Sequence, residues 1–279
     1  MNTESFESGN VKHLDHFALP AMDLDRAEKF YTEVLGGRVI IKDPDPPDGM
    51  FIKLGRQHHL GLFRQRNATI PQRDSLDSYP RVAFVLPANE FEKLSSNVRS
   101  ASRMAKEIED EGCNTGSAKQ KTLGFMDSEG NILEIFAANG ETATRIHHLH
   151  FDTINLDESI KFYKSVLNLE PSKRDHGTAV LTIPGNQALV LHQVKELCEV
   201  TKTDYNERHF AFSVSDEGFH TIVDRLHKQG IREADELGGG RNRKPGELGT
   251  YFKDPINGIY LQLLNSDSSH FCSKHGFKI

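Results

Sequence analysis

The chain repeats itself. Residues 14–37, LDHFALPAMDLDRAEKFYTEVLGG, align with residues 146–169, IHHLHFDTINLDESIKFYKSVLNL. His16 and His148 are then 132 positions apart, as are the pairs Phe30-Tyr31 and Phe162-Tyr163. RVAFVLPANEFEKL (81–94) aligns with HFAFSVSDEGFHTI (209–222), which sets Arg81 128 positions before His209. GFMDSEGNILEIF aligns with TYFKDPINGIYLQLL, and Glu134 again precedes Gln262 by 128. Anchors at a nearly constant offset mark a duplication. We therefore place two tandem domains at 10–140 and 141–266, joined by AANGETAT, with residues 267–279 as a loose tail.

Each half divides once more. A short strand (HFALPA; LHFDTI) leads into an amphipathic helix. In the first copy Leu24, Ala27, Phe30, Tyr31, Val34 and Leu35 keep the spacing of one helical face. Asp23 and Asn155 are the expected caps, and Gly36-Gly37 ends the first helix. Strands follow: GMFIKLG and HHLGLFRQ in the first half, GTAVLTI and QALVLHQV in the second. The later part of each half runs strand, helix (EFEKLSSNVRSASRMAKEIEDEG; EGFHTIVDRLHKQG), then strands. The fold class is α+β: four βαβββ modules in two tandem domains, each domain a curled mixed sheet that forms a cup with helices outside.

The net charge of −6 gives no electrostatic reason to bind nucleic acid or an anionic membrane. No apolar run is long enough to span a bilayer, and MNTESFESGN lacks the regions of a signal peptide. Three dispersed cysteines, Cys113, Cys198 and Cys272, suit a reducing cytoplasm. The expected partners are a small molecule and, on the enzymatic reading below, dioxygen; a homo-oligomer stays open.

The stretch RIHHLHFD (145–152) carries the chemistry. As a strand it sends His148, His150 and Asp152 to one face and His147, Leu149 and Phe151 to the other. Three polar groups on one strand face call for water or a ligand.

With the repeats, this chain resembles the vicinal oxygen chelate superfamily of glyoxalase I, bleomycin and fosfomycin resistance proteins and type I extradiol ring-cleaving dioxygenases, over residues 12 to 265. The resemblance implies one metal in a cup. Its ligands come from the first strand of one module and from the first and last strands of the next. In the C-terminal domain those positions are His148, His209 and Gln262, the last standing where the family has Glu. Two histidines and an oxygen donor suit Fe(II) with open positions for substrate and dioxygen; Mn(II), Zn(II) or no metal are the alternatives. The extradiol signature is partly kept: Asn242 replaces its His, while Tyr251, Asp254 and Pro255 are in place. The position of the acid/base His falls near Gln187-Ala188, so His150 or His192 is the expected proton carrier, with Tyr251 bonding a substrate oxygen.

In the N-terminal domain the resemblance places His16 and Glu134 at ligand positions, the runner-up metal set, and His58-His59 at the acid/base position. Arg81 takes the second ligand position. A guanidinium cannot coordinate a cation, so the expectation is an Arg81–Glu134 pair in a non-catalytic cup. A rarer superfamily arrangement pairs the first module with the fourth and brings His16 and His59 to His209 and Gln262. The functional expectation is a metal-dependent oxygenase of the extradiol type acting on a catechol-like or other vicinal-oxygen molecule. The alternatives are a metal-free binding or resistance protein and a glyoxalase-type lyase or isomerase.

Overall fold

The structure is a computed structural model. It describes residues 11–42, 49–55, 58–64, 75–77, 80–108, 121–197, 208–234, 246–266, 273–274 and 276. Asn242 and the three cysteines lie outside these residues, as do His270 and His275 of the tail.

Four modules are present, three of them βαβββ and the fourth βαββ among the described residues. The first has β1 (Val11–Ala21), α1 (Leu24–Lys29, continued by a π turn at Phe30–Val34), β2 (Arg38–Lys42), β3 (Gly49–Leu54) and β4 (His58–Arg64). The second has β5 (Arg81–Pro87), α2 (Ala88–Ala101), β6 (Ala105–Ile108), β7 (Thr122–Met126) and β8 (Ile132–Ala138). The third has β9 (Arg145–Thr153), α3 (Leu156–Leu167), β10 (Pro171–Arg174), β11 (Thr178–Ile183) and β12 (Gln187–Gln193). The fourth has β13 (His209–Val214), α4 (Asp216–Lys228), β14 (Gly249–Lys253) and β15 (Tyr260–Leu264).

Local chemistry sets these bounds. Asp23 accepts from the N–H groups of Asp25 and Arg26, and Asn155 from that of Glu158, as expected of caps. The helix expected to run from Glu90 to about residue 112 stops at Ala101 instead. Ser102 turns extended, and its hydroxyl, with one proton to give, lies 2.7 Å from the carbonyl oxygens of both Met104 and Met126. Ala105–Ile108 then pairs with β7 as a strand.

The modules do not pair within the tandem halves. One sheet has the order β14-β15-β13-β1-β4-β3-β2, joining modules one and four; the other has β10-β11-β12-β9-β5-β8-β7-β6, joining modules three and two. β1 runs antiparallel to β13, and β9 antiparallel to β5. This corrects the expected C-terminal cup of His148, His209 and Gln262, because His148 lies in one sheet and the other two in the other. It also separates His16 from Glu134. The sheets meet back to back along their central strands. Phe17 of β1 lies 5.7 Å from Phe84 of β5, and Phe151 of β9 lies 5.0 Å from Phe210 of β13. By strand alternation these rings point away from the cup-facing residues.

What links each tandem half is a buried lock. The Tyr31 hydroxyl donates to Asp127 at 2.7 Å, and Tyr163 donates to Asp254 at 2.5 Å. Each aspartate also accepts from an asparagine amide, Asn131 or Asn257, at 2.9 Å. Burial pushes both carboxyls up despite these donors. Asp254 of the extradiol signature is therefore a fold determinant. Tyr163→Phe should cost about 1.5–3 kcal/mol, the range for a hydrogen bond to a charged group, read by urea unfolding. A loss within about 0.5 kcal/mol, as at an indifferent surface site, would contradict the lock.

Among the described residues no helix is long and apolar enough to cross a membrane.

Candidate functional site

Two cups result, one on each sheet. The first is lined by modules one and four. Phe17 pairs with Leu60, which sets His16 beside His59 on neighbouring strands, and their rings stack at 4.3 Å. The His209 ring meets His16 edge-on at 5.6 Å. Ala211 and Tyr251 both pair with Gln262, so alternation puts His209, Gln262 and Tyr251 on this same face. Tyr251 meets His209 edge-on at 5.0 Å. All three histidines and Gln262 are buried.

Asp15 is the residue that the sequence reading missed. Simple alternation sends it to the face opposite His16. β1, however, shifts register between Leu14 and Phe17, and at such a bulge consecutive side chains can reach one side. Asp15 is fully buried and its Oδ2 accepts from His16 Nδ1 at 2.7 Å, while Oδ1 lies 3.4 Å from His13 Nε2. Burial alone would raise this carboxyl; the bonds from His13 and His16 outweigh it and hold Asp15 well below the usual carboxylate range. An ionised Asp15 can only accept, so His16 donates through Nδ1, and Nε2 is the ring atom that would meet a cation. A signal was present in the spacing HxDH.

Two features fit a divalent cation here. The Asp15–His16 bond is the carboxylate–histidine arrangement that orients a metal ligand. Gln262 Oε1 is buried with no hydrogen-bond partner among the described residues. Asp15, His16 and His59 each bring a ligand atom within 4.8 Å of the others, but Asp15 is occupied by His16 and His13 and belongs behind the ligands. His209 is held well below the usual histidine range by burial and by His16 nearby, which keeps the ring neutral.

An aromatic wall flanks this set. Phe51 lies edge-on to His59 and to Phe63, 5.7 Å from each. Gly61 sits beneath, where a Cβ would come 2.8 Å from the Phe63 ring.

The second cup joins modules two and three. Arg81 Nε contacts Glu134 Oε1, the pair expected from the sequence. His148 and His150 each place Nε2 3.6 Å from Glu134 Oε2. His150 Nδ1 lies 2.8 Å from His192 Nε2, and His147 Nδ1 2.9 Å from His148 Nδ1. Glu134, His148 and His150 form a second group with metal-ligand spacing. The guanidinium already neutralises Glu134, however. Arg81 Nη1 also donates to the Leu76 carbonyl at 3.1 Å, and Leu76 is buried against Met126 and Ile132. Burial would raise Glu134, but His150, His148 and Arg81 hold it well below its ordinary range. Burial lowers His150 strongly and His192 to about 4. Thus His150 and His192, the expected proton carriers, share a cup with His148 and not with Tyr251.

This architecture of paired modules with histidine-lined cups defines a class, and comparison with known proteins agrees. A profile of the Glyoxalase/Bleomycin resistance protein/Dioxygenase superfamily matches residues 13–135 and 145–263. The chain belongs to that superfamily. A metallothiol transferase FosB from Lysinibacillus sphaericus is 29% identical over 154 residues, 55% of this chain and 91% of that protein. A FosB from Staphylococcus epidermidis is 29% identical over 112 residues, 40% of this chain and 75% of its own. Among solved structures, a putative dioxygenase from Bacillus subtilis superposes with a TM-score of 0.69 at 14% identity, covering 97% of this chain and 91% of that one. Glyoxalase I from Zea mays gives 0.62 at 18% identity, covering 94% and 95%. At these identities the structural likeness speaks for the fold alone.

Proposed function

We propose that the cup of modules one and four holds a divalent metal on His16, His209 and Gln262, and that the chain is a metal-dependent oxygenase of the extradiol type acting on a catechol-like small molecule. The observation that carries this is the exchange of modules. It gathers His16, His209, Gln262, His59 and Tyr251 on one face, and these are the superfamily's ligand, acid/base and substrate-bonding positions. Fe(II) suits two histidines and one oxygen donor that leave open positions; when bound it supplies Lewis acidity and redox chemistry toward dioxygen.

The chain's own residues do the rest. His59, stacked on His16, is placed to take a proton from a substrate hydroxyl and return it later. Tyr251 is placed to donate to a substrate oxygen beside His209. Phe51 and Phe63 offer ring faces and edges to a planar substrate. Asp15 compensates in part for Gln262: it returns a negative charge behind His16 where the family's Glu would have supplied one. Three dispersed cysteines fit a cytoplasmic setting.

Dioxygen uptake tests the reading, measured when catechol and dissolved dioxygen are added to protein loaded anaerobically with Fe(II). Stoichiometric uptake with ring-cleavage absorbance is expected; turnover without dioxygen would contradict it. The latter would favour Lewis-acid chemistry, a reading supported by the neutral Gln262 and by the metallothiol transferase relatives. Absence of any bound metal would favour a binding protein. Gln262→Glu should tighten Fe(II) or Mn(II) by about 1–3 kcal/mol, the scale separating charged from neutral partners, in a chelator competition. Unchanged or weaker affinity would place Gln262 away from the metal.

A further inference from the structure

Gln187 stands near the position where the resemblance puts an acid/base histidine, yet it lies outside both cups' chemistry. Its side chain is buried, and among the described residues its bonds run to backbone. The Leu14 N–H donates to Oε1 at 2.8 Å, and Nε2 donates to the carbonyls of Leu14 at 3.3 Å and Ile146 at 2.9 Å. One amide thus ties β1 of the first sheet to β9 of the second. The turn before it, with Gly185 and Asn186 both at positive φ, delivers Gln187 at the head of β12.

The place it grips is specific. Leu14 is the last regularly paired residue before the register shift, and Asp15 and His16 follow at once. Gln187 bonds both polar groups of Leu14, as a neighbouring strand would. A strand whose register is weakly held can slip by one residue and turn its side chains to the other face. Here regular pairing in place of the bulge would send Asp15 and His16 to opposite faces and break their bond.

We infer that Gln187 is a positioning residue: by clamping Leu14 from the second sheet it fixes the β1 bulge, and so the Asp15–His16 pair, for the site of the first cup. Its part in metal binding rests on the function proposed above; its hold on the Asp15–His16 bond does not.

The test uses full-length protein labelled with nitrogen-15 in histidine and free of metal. The wild type should show a downfield, slowly exchanging imidazole Nδ1 proton that disappears in His16→Ala. Gln187→Met, similar in length but without the amide, should lose that resonance while the fold persists by circular dichroism. Tyr163→Phe, which removes a structural bond elsewhere, should keep it. A folded Gln187→Met with the resonance unchanged overturns the inference, as does equal loss in Tyr163→Phe. Should Gln187→Met not fold, Gln187→Asn, one methylene short, is read in the same way; if neither folds, Gln187 is a stability brace alone and the inference fails. With Co(II) added, Gln187→Met should bind about 10–100-fold more weakly, the usual cost of losing an outer-shell partner, and Tyr163→Phe should not. If the wild type binds no Co(II), the proposed function fails while the imidazole resonance still decides the role of Gln187.

Discussion

Replacing His209 with alanine should strip most of the bound metal from the chain, replacing His16 should do the same, and replacing His148 should leave the metal in place. Sequence position alone expects the opposite for His16 and His148, since His148 and His209 share a tandem half. The pairing of β1 with β13 reverses this, because it lays His16 against His209 and puts His148 beside Glu134 in the other sheet. Losing a direct ligand should weaken binding by more than the roughly 10–100-fold that loss of an outer-shell partner costs. Equilibrium dialysis with Fe(II) under argon reads the result. Retention of metal by both His16→Ala and His209→Ala, with loss in His148→Ala, would move the centre to the second cup.

The second large effect is on stability. Glu134→Ala should destabilise the protein by about 3–5 kcal/mol, the range for removing one partner of a buried ion pair. Arg81 and Glu134 are both almost fully buried, so truncation leaves a guanidinium among buried histidines with its carboxylate gone. Arg81→Met/Glu134→Leu removes both charges, fills similar volume, and should recover much of the loss in urea unfolding. Activity should survive in the double variant, because the catalytic residues proposed here lie in the other cup. The pH dependence has a definite sign. Glu134 is held below its ordinary range in the fold, so between that folded pKa and the unfolded value near ~4.3 the unfolded chain binds more protons. Its contribution is complete above the unfolded value and is lost as pH falls through the folded one; the double variant should lack that acid-side decline. Unfolding of Glu134→Ala within about 1 kcal/mol of wild type would show that Arg81 finds sufficient partners elsewhere.

Much of this was legible in the sequence, for physical reasons. The duplication, the Asp23 and Asn155 caps and the Arg81–Glu134 pair follow from spacing, hydrogen-bonding capacity and charge. The pairing of modules does not. β1, β5, β9 and β13 share one alternation, with a cup-facing polar residue followed by a buried apolar one, so either exchange satisfies the same pattern. What selects between the pairings is long-range packing, such as Phe17 against Phe84 and Phe151 against Phe210. The Tyr31–Asp127 and Tyr163–Asp254 locks left a trace in the repeated Phe-Tyr pair and in two aspartates with an asparagine four (Asn131) or three (Asn257) positions on, but each bond spans more than ninety residues. Asp15 was hidden by a bulge that alternation cannot foresee. The strand at Ala105–Ile108 was hidden because the helical pattern continues past Ser102, where the backbone turns extended and the hydroxyl reaches the carbonyls of Met104 and Met126.

The most direct measurement of the central claim is anomalous diffraction at the manganese edge from crystals grown with Mn(II). A single strong peak among His16, His209 and Gln262 Oε1, with Asp15 behind His16, is the result this account predicts. A peak beside Glu134, His148 and His150, or no peak in either cup, would contradict it.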